Sequence, residues 1–250
     1  MRYVDTANKE GIVTLTLQRG KVNALNDEVV RELTAAFRAT EEDPGAKVVI
    51  LTGSGSFFSF GFDIPGFLSC SKESFSLFLQ EFTSFYTYLY LYPKPVIAAL
   101  NGHTIAGGCM IATACDYRTM VAGKAKISLN EITFGSSVLA GSVEMLRHCV
   151  GDRNARDILY TGRMFTGEEA AEIELVDEVV KEEAFVYHVF AQAVDLAHRS
   201  GPAFTSIKRL TRGPIAERMK KAEPDSIQEF TEIWYSEETR KQLQEITIRE

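Results

Sequence analysis

The chain has 250 residues, 45% of them hydrophobic and 24% charged, enough to bury a large core as one domain or as one domain with a small appendage. Its formal charge of −7, with no compensating basic tract, argues against a general nucleic-acid binder, and no apolar run approaches the length that crosses a membrane. The four cysteines, Cys70, Cys109, Cys115 and Cys149, lack metal-ligand spacing, so no metal site is expected and a reducing compartment is the simpler inference.

Val13, Leu15 and Leu17 alternate with Thr14, Thr16 and Gln18, the period of a strand with one buried face. Asn23 to Asp27 read as a turn, and Asn26 is placed to cap a helix through Val30, Leu33 and Phe37. Pro44-Gly45 ends that region, and Val48 to Thr52, apolar nearly throughout, is a strand expected to be covered on both faces. The loop from Gly53 to Ile64 leaves this strand with a G-x-G, but Phe58 stands where the third glycine of a dinucleotide fingerprint belongs, and no helix starts at once. That reading is rejected. The loop's aromatics instead fold it over apolar material, and Gly61 permits a close backbone approach. Ser71 to Leu91 is helical, with Phe75, Phe78, Leu79, Phe82, Phe85, Tyr86 and Leu89 in a wide apolar stripe. Core or subunit contact is the first reading of the stripe, and the floor of a ligand pocket the second.

The stretch from Pro93 to Glu144 carries the chemistry. Val96 to Leu100 is a buried strand ending at the Asn101-Gly102 turn. Gly107 and Gly108 then fall in the first turn of a small-residue helix, where free N–H groups and the helix dipole can hold negative charge. Farther on, Ser128-Leu129-Asn130-Glu131 places a carboxylate at the end of another apparent strand. An anion-holding turn and one carboxylate form a minimal kit for moving protons beside a carbonyl. His103 reads as a packed histidine, Asp63 as a loop-shaping residue, Asp116 as a cap at the helix exit and Asn101 as a turn former.

Helical pieces over Ser142–Val150 and Arg153–Tyr160 are split by Gly151-Asp152, and Thr166 to Glu169 matches a capping box that starts a short helix. Leu175 to Val180 is the last strand expected. From Glu182 the pattern is helical only: one helix to about Arg199, a second over Phe204–Met219, and a third from near Pro224 to the end, punctuated by Gly201-Pro202 and Gly213-Pro214. The expected division is an αβ core over residues 1–181 carrying the site, and a helical region over 182–250 packing against other subunits. Trp234-Tyr235 and Ile246–Ile248 ask for a cover, which another subunit would supply. Lys208, Arg209 and Arg212, and Arg218 with Lys220-Lys221, read as solvated helix face before phosphate-binding surface. Met1 to Asp5 lacks the apolar core of a signal peptide and Thr247 to Glu250 carries no peroxisomal tripeptide, so a cytoplasmic protein is expected.

Taken together, Asn23-Ala24-Leu25-Asn26, Val49 to Gly53, Phe58 to Ile64, Lys94 to Ala99, Asn101-Gly102, Ala106-Gly107-Gly108-Cys109, Cys115-Asp116, Leu159-Thr161-Gly162 and Ala170 to Val180 resemble the crotonase (enoyl-CoA hydratase/isomerase) superfamily in order and spacing, over nearly the whole chain. The resemblance implies an α/β fold, a spiral of ββα units with a helical C-terminal region, and trimers or hexamers of paired trimers. It implies an acyl-coenzyme A thioester as substrate and no separate cofactor, coenzyme A being part of that substrate. By position, the backbone N–H groups of Phe62 and Gly107 would form the oxyanion hole, with coenzyme A along Ala24-Leu25 and the loop before Phe62. Phe62 and Phe60 are bulkier than the family's usual small residues, and either narrow the pocket or pack into the loop.

Hydratases of this family hold water between two glutamates. Met110 stands at the first of those places and Glu131 at the second. A methionine accepts no proton, so the two-carboxylate scheme is broken, while one carboxylate suffices to carry a proton between two carbons of a 3-enoyl thioester. Ala106 to Met110 with Leu129-Asn130-Glu131 resembles the monofunctional enoyl-CoA isomerases more closely than the hydratases. Val138-Leu139-Ala140-Gly141-Ser142 replaces the hydratases' Pro-Gly-x-Gly-Gly, leaving the pocket wall at Leu139 to be determined, and Glu144 reads as helix surface before substitute acid. An isomerase with Glu131 as its base is therefore expected, with Ala24, Leu25, Phe60, Met110 and Leu139 about the substrate. The competing readings are a hydratase or hydrolase that recruits water differently, and a non-catalytic acyl-CoA-binding protein.

Overall fold

The computed structural model describes residues 1–246. Ile248 of the expected apolar patch and the C-terminal tripeptide lie outside them. Two parallel-rich sheets organise the fold. The larger runs in the order β1 (Val4–Lys9), β2 (Ile12–Leu17), β3 (Val48–Gly53), β5 (Val96–Leu100), β7 (Tyr117–Val121), β9 (Glu178–Val180), and the smaller is β4 (Phe57–Ser59), β6 (His103–Ile105), β8 (Ile127–Ser128). Only the β1–β2 hairpin is antiparallel; the other pairs are parallel, with Leu15, Leu51, Ala98 and Arg118 in register across the large sheet. After a first turn whose two strands, β1 and β2, both lie in the large sheet, each of the next three turns lays one strand in the large sheet, the next in the small one, and then a helical segment. This is the spiral of ββα units that the resemblance implies.

The helices follow from local signals. α1 (Asp27–Glu42) starts at Asn26, whose side chain accepts from the Val29 N–H, and α3 (Lys72–Tyr90) starts at Ser71, which accepts from Ser74. Between β4 and α3 lies the short α2 (Ile64–Leu68). α4 (Gly107–Ala114) follows β6 directly. α5 (Ala140–Thr161) is interrupted at Gly151, which has φ 73° and ψ 167°, so the two expected pieces form one element with a kink. The Thr166 capping box opens α6 (Gly167–Glu172) as its sequence demands. The expected strand over Leu175–Val180 shortens to β9, because Leu175 and Val176 bond to the end of α6 instead.

The helical tail departs from its reading. After α7 (Glu182–Ala197), the helices expected over Phe204–Met219 and from near Pro224 onward are one helix, α8 (Gly201–Trp234), and the stretch beyond Tyr235 forms a separate α9 (Glu237–Gln244). Pro214 and Pro224 sit inside α8, each removing a ladder bond at a typical cost of about 3 kcal/mol. Ile215, Ala216, Met219, Ile227, Phe230 and Trp234 are nevertheless buried, and α8 packs along α3 and α5. At about 1.5–3 kcal/mol for each large apolar side chain, this burial outweighs two lost bonds. The cover expected from another subunit thus comes, for Trp234, from the chain's own Phe75 and Phe230. Lys208 and Arg212, read as solvated, are buried against Asp116, while Arg209, Arg218, Lys220 and Lys221 are exposed as expected. Asp116 is accordingly a tie to the tail rather than a helix-exit cap. Among the described residues no helix is long and apolar enough to cross a membrane.

Candidate active site

The first half of the site is a pair of backbone amides. The Leu25 N–H donates to the Gly61 carbonyl at 2.7 Å and the Asp63 N–H to the Leu25 carbonyl at 2.9 Å, so the first-turn segment and the Phe62 loop run as a short parallel bridge. The Phe62 carbonyl accepts from Ile64, while the Phe62 N–H, between the two bonds of the bridge, donates to no acceptor among the described residues. Gly61, at φ 96°, makes this loop possible. A Cβ there would stand 2.9 Å from the Ile105 carbonyl oxygen and 3.0 Å from the Gly107 nitrogen. The missing side chain is what lets the two loops meet.

From the other side, β6 reaches Ala106, which adopts φ 50° and ψ −119°, a region costly for any residue with a Cβ, typically about 1–3 kcal/mol. The Ala106 N–H is anchored to the Ser128 carbonyl of β8, and its own carbonyl receives the Met110 N–H at the start of α4. The strained turn brings Gly107 to the first position of α4, where its N–H has no intrahelical partner and the helix dipole adds positive potential. Gly108 allows the helix to lie against β4: a Cβ there would be 2.5 Å from the Ser59 carbonyl oxygen.

The second half is Glu131. It opens a 3-10 turn (Glu131–Phe134) just beyond β8, rather than ending the strand itself, and its carbonyl accepts the Ser136 N–H to close the turn. Its side chain is 4% exposed and neither carboxylate oxygen has a partner among the described residues. Burial pushes its pKa up to about 8, opposed only by its own backbone N–H. Phe62, Gly107 and Glu131 line one cavity of about 280 Å³, together with Phe60, Ile64, Ile105, Ala106, Asn130, Thr133, Phe134, Phe230, Trp234 and Ile246. The structure therefore brings the two amides and the lone carboxylate to the same enclosed space. Asn130 Oδ1 and Trp234 Nε1 are likewise buried without partners.

The remaining sequence candidates divide. Phe60 lines the cavity, half-buried, with its ring 6.1 Å from that of Phe57. Phe62 carries its ring into an aromatic cluster, edge-on to Phe78 at 5.0 Å and to Phe82 at 4.9 Å. Ala24 and Leu25 are buried beneath the Phe62 loop and do not line the cavity; they position the Phe62 amide. Met110, 1% exposed, and Leu139, fully buried, also lie outside its lining. Glu144 pairs with Arg147 and Arg218, away from the cavity. His103 packs on Phe57 and its Nδ1 accepts from the Lys126 N–H, Asn101 ties the backbone at Gly53 and Gly55, and Asp63 caps α2 and pairs with Arg19 at 2.5 Å. The α3 stripe is core: Phe75, Phe78 and Phe82 stand behind Phe62. Among the described residues no group of three or more His, Cys, Asp or Glu side chains is disposed to hold a metal ion.

A wider groove of about 1160 Å³ runs between α3 and α8. Its one buried carboxylate, Glu223, is engaged with the Tyr86 hydroxyl, the Gly141 N–H and Ser226, whereas the buried carboxylate of the smaller cavity, Glu131, has no partner among the described residues. Sequence reading missed the cavity walls that come from the tail, Phe230, Trp234 and Ile246. The spacing of Ile227, Phe230 and Trp234 on one helical face opposite the α3 stripe was the available signal.

Comparison with known proteins shows the family and the fold. Residues 7–247 match the family described as Enoyl-CoA hydratase/isomerase. A probable enoyl-CoA hydratase of Bacillus subtilis is 28% identical over 98% of this chain and 95% of its own length. Mouse mitochondrial enoyl-CoA delta isomerase 1 is 29% identical over 96% of this chain and 84% of its own. The crystal structure of human mitochondrial delta3-delta2-enoyl-CoA isomerase superposes with a TM-score of 0.92 at 26% identity, covering 97% of this chain and 95% of that one.

Proposed function

The chain belongs to the enoyl-CoA hydratase/isomerase family, and we propose that within it the protein is an isomerase that converts 3-enoyl-CoA to 2-enoyl-CoA. One observation carries the choice: among the described residues that line the cavity with the two free amides, Glu131 is the only ionisable side chain. The thioester oxygen lies at the Phe62 and Gly107 N–H groups. The Glu131 carboxylate takes a proton from C2, the charge moves onto the thioester oxygen as a dienolate, and the same carboxyl group returns the proton to C4. The double bond has then moved from C3–C4 to C2–C3, with every proton accounted for and no co-reactant consumed.

Each part has a physical reason. The amides and the α4 dipole act on an oxygen that gains charge only in the transition state and the intermediate; one such donor is typically worth about 3–4 kcal/mol of barrier. A carboxylate stripped of water is a stronger base, so the raised pKa of Glu131 narrows the gap to a weakly acidic C–H. Hydration needs a second group to hold and activate water opposite the first. Met110 supplies none, and Glu144 is tied to two arginines elsewhere.

The reading requires no cofactor beyond the coenzyme A of the substrate. It places the protein in the cytoplasm, and assigns its assembly to trimers or paired trimers. Its test is Glu131→Gln in deuterated buffer. The variant should bind a saturated acyl-CoA as the unaltered protein does, yet lose exchange of the α-proton by about 10²–10⁴-fold. Equal exchange in both proteins would return the choice to a non-catalytic acyl-CoA binder.

A further inference from the structure

We infer that Trp234 is the far wall of the acyl cavity and sets the longest chain the protein accepts, an apolar acyl group of about eight carbons at roughly 30 Å³ per water-sized group. The inference deepens the proposed function and rests on it in one respect: the thioester oxygen must sit at the Phe62 and Gly107 amides, which fixes where the chain begins.

The chemical class follows from the walls. Among the described residues the lining has no charged group apart from Glu131, and Phe60, Ile64, Phe134, Phe230 and Ile246 make most of it apolar, so a distal carboxylate or ammonium finds no opposite charge there. The length follows from the volume. A space of about 280 Å³ must hold the thioester carbon as well as the tail.

Trp234 is a wall of that space. Its side chain is 1% exposed and lines the cavity, while Phe75, 4.7 Å from it between ring centroids, does not. One side of the indole faces a cavity and the other a filled aromatic core. The residues that follow it are fastened to both functional loops. Tyr235 donates its hydroxyl to the Cys70 carbonyl at 2.7 Å and Arg240 reaches the Leu68 carbonyl at 2.8 Å, both just beyond the Phe62 loop. Thr239 donates to the Gly135 carbonyl at 2.7 Å, at the end of the Glu131 turn. The wall therefore moves only if the oxyanion loop and the base move with it.

Trp234 is the only tryptophan in the chain, so its own emission reports what touches it. Saturated acyl-CoA thioesters from butanoyl to hexadecanoyl, which cannot isomerise, are titrated into the unaltered protein with excitation selective for indole. Coenzyme A and butanoyl-CoA should bind with little change in emission. The spectral shift should grow to octanoyl-CoA, and affinity should fall at least tenfold by dodecanoyl-CoA. Trp234→Ala, which frees room for about four more carbons at roughly 30 Å³ each, should move the limit to dodecanoyl-CoA, whereas Trp234→Phe, which removes the indole N–H but keeps a ring, should leave it within one methylene pair. Emission that ignores chain length, or the same limit in Trp234→Ala, overturns the role of Trp234 while leaving the isomerase reading standing. Failure of every thioester to bind overturns both. The titration of the unaltered protein decides the matter even where a variant does not fold.

Discussion

A carboxylate at 4% exposure with both oxygens unpaired is held against a desolvation cost, and that cost is where the chemistry comes from. With Glu131 pushed up to about 8, only about a tenth of the free protein carries the basic form at pH 7. kcat/KM for a 3-enoyl-CoA should therefore rise close to tenfold per pH unit up to about pH 8 and then level; a flat profile between pH 6 and 9 would contradict the assignment. The same shift has a sign for stability. The folded state keeps its proton between the ordinary glutamate pKa and about 8 while the unfolded chain has lost it, so this contribution is complete below the ordinary value and is lost as pH rises through about 8. Glu131→Gln should be more stable than the parent at pH 9, by up to about 5 kcal/mol, and similar to it at pH 4, as read by urea unfolding. Gly61→Ala should act on the other half of the site. Its Cβ meets backbone, not a flexible side chain, so the Phe62 loop must retreat, and activity should fall at least a hundredfold with the oxyanion pair broken. Both residues were legible in the sequence, Glu131 from its place in a motif and Gly61 from the need for a close approach. Trp234 was not, because its role depends on a helix of the tail lying back over the cavity, which local pattern does not encode.

At the scale of elements, α8 shows why the tail was misread. Pro224 reads as the start of a third helix, since proline favours the first turn. No break occurs there because α8 is held on its neighbours along its length; Arg212, one residue before Gly213-Pro214, is pinned at both ends of the neighbouring structure. Its guanidinium donates to the carbonyls of Tyr90, Ala114 and Cys115, at the ends of α3 and α4, and pairs with Asp116 at 3.3 Å. Lys208 reaches the same aspartate at 2.9 Å, and Asp116 also accepts the Val96 N–H of β5. A buried network with every carbonyl engaged fixes the helix axis across the proline, and tertiary packing overrides the local preference. Arg212→Met should remove the donors while leaving the carbonyls and Asp116 buried, at a cost of about 3–5 kcal/mol in chemical denaturation. If the loss is under about 1 kcal/mol, the tail is held by its apolar face alone. Where caps rather than breakers set the ends, as at Asn26, Ser71 and Thr166, sequence and structure coincide, since a cap is a bond between near neighbours.

Over the whole molecule, two sheets and their connecting helices deliver three separate segments to one cavity: the Phe62 loop after β4, the Gly107 turn after β6 and the Glu131 turn after β8. These are successive strands of the small sheet, so the reactive groups come from equivalent positions in successive turns of the spiral. β2 was readable from alternation and β3 and β5 from short apolar runs, whereas β1, β4, β6 and β7 carry no such local signal; the arrangement in two sheets was carried by the family resemblance, since parallel pairing is non-local. Outside the cavity, Val186 and Tyr187 on α7 and Ile207 and Leu210 on α8 are exposed apolar side chains available for assembly. Sedimentation should give three or six times the 27.8 kDa chain mass, and Leu210→Glu with Tyr187→Glu should shift it toward the monomer. The central claim, one carboxylate moving one proton, is tested most directly by incubating the protein with a 3-enoyl-CoA and, separately, with a 2-enoyl-CoA. A single-base isomerase converts the first into the 2-enoyl thioester and forms no 3-hydroxyacyl-CoA from the second; hydration of the second with no isomerisation of the first would contradict it.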